Sequence, residues 1–389
     1  MTSSEFPPYV GGVSHYAHKL SSKLIQKGHE VTIITRGSSK GLVTEQIDNI
    51  RVYRVPYLHL YPLHVKVQQI FQNQILRTLQ SNLDLIHIHY PLTPSFQTSL
   101  PTIATIHTSI GPSIKSQNFY SAGPRLPPAV MHLMRLYFGQ LERSIVSISD
   151  RVTVVSNAVA QELTARYSTT LNHPVEILGN GVDTEVFAPG TGNNRIQILF
   201  TGRLAWNKGL DDFVNAARII HNTRKDASFV ITGEGPIKPY LERVVKDLGL
   251  SSRFSFPGYL SLPDLIKCYQ NTTVFVFPTR YEGLPTSLME AMACAIPPVT
   301  TGIGSIPEIV QDQQNGVIVP TNAPTAIATA VINLLKDDEK RLRLGKAARK
   351  TIEERYNWNK IVDRTINCYQ NVVKEKREST QPIPSTRIT

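Results

Sequence analysis

The sequence is poor in cysteine, in acidic residues relative to basic ones, and in long apolar runs. Cys268, Cys294 and Cys368 are its 3 cysteines. Thiols so few and scattered supply neither a disulfide framework nor the paired spacing of a zinc site, and the default setting they imply is reducing and cytosolic. No stretch approaches the roughly 20 apolar residues that a membrane-spanning helix needs, and the N-terminal residues do not read as a signal peptide. Against 41 Lys and Arg stand 30 Asp and Glu, a formal net charge of +11. That balance calls for acidic partners: phosphate-bearing small molecules, an anionic lipid surface or nucleic acid. The basic residues are dispersed and no nucleic-acid motif accompanies them, so nucleic acid ranks last.

A chain of 389 residues, 41% hydrophobic and 18% charged, is ordinary globular material but too long for one core, which implies two domains of Rossmann size. The pattern supports that division. After a loop at 4–12 comes an amphipathic helix over 13–27, stopped by Gly28-His29, then a β-branched strand, E-V-T-I-I-T, at 30–35. Further strands fit 50–56, 83–89, 102–107, 151–156 and 175–178, with helices over 64–80, 128–147 and 157–167. The turn-rich segment 189–194 then acts as a linker. Alternation restarts beyond it, with strands at 196–200, 229–232, 254–257, 274–277, 299–300 and 316–319. Helices fit 210–221, 237–248, 262–270, 286–295 and 323–336, and a last one fits 358–374. Short apolar strands alternating with helices predict an α/β fold of two doubly wound parallel sheets, with ligands in the cleft between their carboxyl edges.

Several residues fall at those edges. Gly11-Gly12 stands at a helix N-terminus, where glycine permits close backbone approach to a ligand or makes a tight turn. His107 ends the strand T-I-A-T-I-H, while His87 and His89 lack an acidic partner nearby and do not suggest a metal site. Arg203 and Lys208 follow the first strand of the second half and precede a helix, as a diphosphate site would need and as two surface cations also would. The run is not a Walker loop, lacking both its glycine spacing and its Lys-Ser/Thr ending. Gly233-Glu234-Gly235-Pro236 reads as another close-approach loop, and 256–260 offers backbone groups to a flat base. In the segment Y-E-G-L-P-T-S-L-M-E-A-M at 281–292, Thr286 or Ser287 can cap a helix that has Glu282 before it and Glu290 one turn inside it. Two carboxylates flanking free N–H groups suit a ligand with hydroxyls on both sides of a phosphate, or a capping charge beside a solvated one.

In order, the chain carries P-P-x-x-G-G at 7–12, the strand-end His107, N-G-V-D at 180–183, G-R-L…K-G at 202–209, G-x-G-P at 233–236 and E-x7-E at 282–290. Over nearly its whole length it resembles the GT-B-fold retaining glycosyltransferases of family 4 type (glycosyltransferase group 1). The pattern and its linker divide the chain into domains at 1–190 and 191–356, and the polar, Pro-containing stretch 375–389 reads as a disordered tail. The resemblance implies that a helix at 357–374 crosses back to the first domain. The implied reaction moves a hexose from a nucleoside diphosphate sugar to a hydroxyl acceptor, in glycolipid or cell-surface polysaccharide synthesis. It further implies that Gly11 and Gly12 approach the donor phosphates while Arg203 and Lys208 neutralise the diphosphate leaving group. Glu290 would accept from the ribose hydroxyls and Glu282 would hold a sugar hydroxyl. Gly283, Leu284, Pro285 and Thr286 would line sugar and phosphate, Leu260 would meet the base through its backbone, and His107 would face the sugar. The cofactor expectation is none beyond the donor, and no metal is required where cations do that work. Alternatives are a nucleotide-sugar epimerase of the same fold and a non-catalytic sugar-nucleotide-binding subunit.

Two departures stand out. Met1-Thr2-Ser3 is a stub where the family has an apolar strand, and the expectation is a misassigned start or a truncated chain whose first sheet has unpaired backbone. Ser305 interrupts an approach to Pro307-Glu308 that is usually richer in glycine. The stretch 110–147 reads as an insertion, with a helix mixing Met131, Leu133, Met134, Leu136, Tyr137 and Phe138 with Arg135 and Arg143. It either faces the core or docks on anionic lipid and admits a lipid-linked acceptor, which would place the protein in the cytoplasm or peripherally on the cytosolic membrane face.

Overall fold

The computed structural model describes residues 1–9, 11–37, 41–57, 64–96, 98–109, 128–171, 173–191 and 195–380. Its first sheet contains β1 (Thr2–Ser3), β2 (Thr32–Arg36), β3 (Val43–Ile47), β4 (Ile50–Val55), β5 (Ile86–Tyr90), β6 (Thr102–Ile106), β7 (Arg151–Val154) and β8 (Glu176–Ile177), in spatial order β3-β4-β2-β1-β5-β6-β7-β8. Every pairing is parallel except β3 with β4. Helices α1 (Gly12–Gln26), α2 (His64–Leu79), α3 (Pro128–Ile148) and α4 (Asn157–Tyr167) accompany it. β5 and β6 are buried at every residue, as parallel strands covered on both faces require.

The second sheet contains β9 (Gln197–Thr201), β10 (Ser228–Thr232), β11 (Phe254–Gly258), β12 (Val274–Phe277), β13 (Pro298–Thr301) and β14 (Val317–Val319). All pairings are parallel, in the order β11-β10-β9-β12-β13-β14. That is the doubly wound arrangement, with its switch point between β9 and β12. Its helices are α5 (Leu210–Thr223), α6 (Lys238–Asp247), α7 (Leu262–Gln270), α8 (Thr286–Ala293), α9 (Ile306–Ile309), α10 (Pro324–Lys336) and α11 (Asp338–Arg355). The fold is α/β, two Rossmann-like sheets facing one another.

Several details differ from the sequence reading. β3 was not expected; Asp48 and Asn49, at φ 47° and 65°, make the tight turn that folds it back on β4. α11 was missed because charged residues dominate it, yet Leu344, Ala348 and Ile352 are buried at helical spacing and Asp337 caps Lys340 N–H at 2.8 Å. The last helix, α12 (Trp358–Thr380), continues into the expected tail, where Glu375 takes both bonds of Arg151 at 2.8 Å and Lys376 reaches Asp150 at 2.7 Å. Finally, the stub at the N-terminus occupies the centre of the sheet, β1 pairing with both β2 and β5, and Met1 C=O accepts from Ile34 N–H at 2.9 Å.

α12 packs against elements of the first sheet's half. Trp358, Ile361 and Val362 pack with Tyr16, Leu20 and Leu24 of α1, and Cys368 and Val372 join Ile103 and Leu178. At the crossing, Val182 N–H donates to Tyr356 C=O at 2.7 Å. Gly181 is needed there, since a Cβ would come 2.8 Å from the Trp358 ring.

Candidate active site

The chain leaves β9 through Gly202 and Arg203 into a short 3-10 turn, Trp206–Lys208. Gly209 ends that turn at φ 64°, and a Cβ there would come 2.0 Å from Pro278 C=O, so only glycine lets the two loops meet. Lys208 is thereby held beside the loop after β12. Its ammonium donates to Glu282 Oε1 and lies 5.7 Å from the centre of the Phe277 ring. Arg203 is exposed, with no ion pair among the described residues. Lys208 is thus paired with a carboxylate of the site, whereas Arg203 is exposed to solvent.

Arg280, which sequence reasoning passed over, ties the two loops together. Its guanidinium donates to Asp211 and Asp212 at 2.8 Å each, to Trp206 C=O at 2.9 Å and to Asn322 at 2.7 Å. Its position directly before the segment 281–292 was the available signal.

α8 starts at Thr286 with Pro285 as N-cap and no side-chain cap, which corrects the expectation that Thr286 or Ser287 caps it. Among the described residues no side-chain cap accepts from its first N–H groups, as an anion site needs. Inside the helix, Glu290 accepts from the Tyr269 hydroxyl at 2.9 Å. Burial pushes its carboxyl up to about 7, against the lowering effect of that hydrogen bond.

The other glycine loops divide. A Cβ at Gly233 would come 2.0 Å from Gly202 C=O, and one at Gly235 would come 2.2 Å from Leu204 C=O. Those glycines serve close packing against the Arg203 loop, a different use from the ligand approach read in the sequence. Leu260, half-buried, follows β11 beside Tyr259, which is 65% exposed. In the first sheet, a Cβ at Gly11 would come 2.4 Å from Glu5 Oε2, so the carboxylate of Glu5, itself bonded to Arg36 at 2.8 Å, already covers that glycine. Gly12 has open space around it.

His107 follows β6. Its Nε2 lies 3.3 Å from His89 Nδ1, and its ring packs edge-on to Tyr16 at 4.6 Å. Burial pushes this imidazole down to about 3, so it is neutral at working pH. His87 and His89 are fully buried, His87 bonding Tyr369 at 2.7 Å and Thr105 at 2.6 Å. Among the described residues no group of three His, Cys, Asp or Glu side chains is arranged around a metal ion, and no helix is long and apolar enough to cross a membrane.

The two sheets meet at this edge. A Cβ at Gly283 would come 2.6 Å from His107 C=O, and Ser156 donates to Gly283 C=O at 3.1 Å. The Tyr281 hydroxyl donates to Ser109 C=O at 3.3 Å and lies 3.0 Å from the Thr108 hydroxyl. Leu284 packs against both hydrophobic cores. The structure therefore gathers Arg203, Lys208, Glu282, Gly283, Leu284, Pro285, Thr286 and Glu290 at the β9/β12 switch point, with His107 against them. Gly11 and Gly12 stand at the edge of the opposite sheet, and Leu260 lies beyond β10 at the end of β11.

Residues 182–351 match the family described as glycosyl transferases group 1, and residues 10–186 match the one described as glycosyltransferase family 4. An uncharacterised glycosyltransferase of Methanocaldococcus jannaschii is 28% identical over 95% of this chain and 97% of its own length. Among solved structures, sucrose-phosphate synthase of Thermosynechococcus elongatus aligns at a TM-score of 0.78 with 21% identity, covering 94% of both chains. HepE of Anabaena, solved with UDP and glucose, aligns at 0.70 with 13% identity over 95% of this chain and 98% of its own.

Proposed function

This chain belongs to the group 1 glycosyl transferases, with a GT-B fold, and on that premise we propose that it moves a hexose from a nucleoside diphosphate to a hydroxyl acceptor with retention at the anomeric carbon and without a metal ion. The observation that carries this reading is the switch-point edge itself, where exposed Arg203, Lys208 and the uncapped N-terminus of α8 converge. A structural neighbour solved with UDP and glucose supports the donor class.

In the reaction, the bond from the anomeric carbon to the β-phosphate oxygen breaks and its electron pair stays on the phosphate. Arg203, Lys208 and the α8 N–H groups face that developing charge; each preorganised donor contributes about 3 kcal/mol. The new C–O bond forms to the acceptor hydroxyl on the same face, and the acceptor proton passes to the leaving phosphate oxygen. Glu282, held by Lys208, positions a sugar hydroxyl, and Glu290 accepts from the ribose. Neutral His107 positions the sugar by hydrogen bonding, since it carries no charge to contribute.

For the acceptor, α3 supports a lipid-linked hydroxyl reached at an anionic membrane surface on the cytosolic side. Leu133 and Leu136 are 68% and 51% exposed and Arg135 lies between them in sequence. The opening of the insertion, 110–127, lies outside the described residues. Co-sedimentation with anionic and neutral liposomes tests this, anionic-selective binding being expected and equal absence overturning it.

A panel of nucleoside diphosphate hexoses, assayed for released nucleotide with and without acceptors, tests the main reading. Acceptor-dependent release that survives EDTA is expected. An isomerised donor would identify an epimerase, and binding without turnover a non-catalytic subunit.

A further inference from the structure

The carboxylate of Glu308 belongs to the second sheet's half of the molecule and is bonded entirely to the first. Its Oε2 accepts from Asn157 N–H at 2.9 Å and from the Asn157 side-chain amide at 2.8 Å, and its Oε1 accepts from Ala158 N–H at 2.8 Å. Asn157 and Ala158 are the first two residues of α4, and the third N–H, that of Val159, is taken by the N-cap Ser156 at 3.3 Å. The first three unpaired N–H groups of this helix are therefore satisfied, two of them by a residue from across the cleft. α4 has no acidic residue in its own first turn, so Glu308 supplies the negative charge that a helix N-terminus favours. Charge-assisted, two-oxygen contacts of this kind are the strong members of their class.

Both ends of the contact lead to the site. Ser156 donates its hydroxyl to Gly283 C=O at 3.1 Å, next to Glu282. On the other side, Glu308 follows the segment 302–307, in which Gly304, at φ 59°, sits where a Cβ would come 2.3 Å from Glu282 C=O. The backbone of Glu308 is itself fixed, its C=O accepting from the Tyr356 hydroxyl at 3.2 Å beside the crossing into α12.

We propose that Glu308 is a positioning residue whose two-oxygen clasp on α4 holds the cleft closed and thereby sets the 302–305 loop and Glu282 against the donor sugar. The catalytic consequence rests on the glycosyl-transfer reading; the clasp does not. Glutamine is a poor substitute, because one of its two terminal atoms is a donor facing other donors. The clasp must break for the halves to separate, so it acts on closure and turnover rather than on nucleotide affinity.

The test uses the full chain spin-labelled at exposed Asn82 and Lys246, with the inter-label distance measured by pulsed electron resonance, with and without added UDP, ADP or GDP. Two variants attack the clasp from opposite sides. Glu308→Ala removes the carboxylate. Asn157→Pro removes two of its three donors while keeping a residue that the first helical position tolerates. Both are expected to move the distance distribution to longer, broader values and to lower kcat tenfold or more. The Kd of the tightest nucleoside diphosphate should stay within about twofold of wild type, and Glu308→Gln should fall between. Wild-type distances in both variants overturn the proposal, and so does an equal loss of nucleotide affinity. If no donor is turned over by the wild type, the transfer reading fails while the distance measurement still decides the clasp.

Discussion

Gly283 lies against the main-chain carbonyl of His107, so close that a Cβ would come 2.6 Å from the oxygen. The loop carrying Glu282 thus touches the end of β6 with nothing between them but a glycine. Gly283→Ala should leave each sheet intact, because the clash is between the new methyl and a main-chain carbonyl of the other half. We expect a loss of about 1–3 kcal/mol in unfolding free energy, as for overpacking at a close contact, with kcat/KM down tenfold or more. Urea denaturation beside steady-state kinetics checks the two together.

Lys208 and Glu282 form a pair whose members do different work. On the proposed reaction, Lys208→Ala removes a cation that would face the leaving group and should lower kcat by about 10²–10³-fold. Glu282→Ala should mainly lower turnover, whereas Glu290→Ala should mainly weaken donor binding. Kinetic constants for the three variants decide this, and identical losses in both parameters for the two glutamate variants would contradict the division.

The Glu290 carboxyl is raised to about 7 by burial, so if it meets the donor ribose as proposed, donor affinity depends on pH. Ribose hydroxyls donate best to the ionised form, so affinity should rise as pH increases through about 7 and flatten above it. Glu290→Gln should remove the dependence. For stability the sign is opposite. With a folded value above the unfolded one, the group's contribution is complete below about 4.5 and is lost as pH rises through about 7. Glu290→Gln should accordingly be more stable than wild type above pH 7, by about 1–3 kcal/mol. Calorimetric titration and thermal melts across pH 5–9 measure both.

Arg280 is the partner of Asp212, which is 6% exposed. Arg280→Ala leaves that carboxylate buried without its cation, a loss of about 3–5 kcal/mol in comparable cases. Because the same side chain ties the Lys208 loop to the Glu282 loop, donor KM should rise as well. Arg280→Lys should restore part of the stability but less of the KM, since an ammonium cannot span four acceptors in the fork geometry. Denaturation midpoints and donor KM for both variants check it.

Much of this molecule is legible in its sequence because parallel strands covered on both faces are short, apolar and β-branched, as in T-I-A-T-I at 102–106 or V-F-V-F at 274–277. Helices with a clear apolar stripe were equally visible. α11 was not, since its buried face consists of small or spaced residues within a charged run. In the site, residues beside glycines and strand ends could be placed by pattern: Arg203, Lys208, Glu282 and Glu290. Residues that act across large sequence separations could not. Arg280 reaches Asp211 and Asp212, Tyr269 reaches Glu290, and Glu308 reaches Asn157 only after the chain folds. Conversely, Gly233 and Gly235 look like ligand-approach glycines in sequence but serve loop packing, because close approach to a ligand and to another backbone make the same demand on a residue.

The most direct measurement is proton NMR of the transferred sugar during turnover with an α-linked nucleoside diphosphate hexose and a hydroxyl acceptor. An anomeric coupling of the α-form in the product, present with EDTA and lost in Lys208→Ala, is the predicted result. A β-linked product, or an isomerised sugar still attached to its nucleotide, would contradict retaining transfer from this cleft.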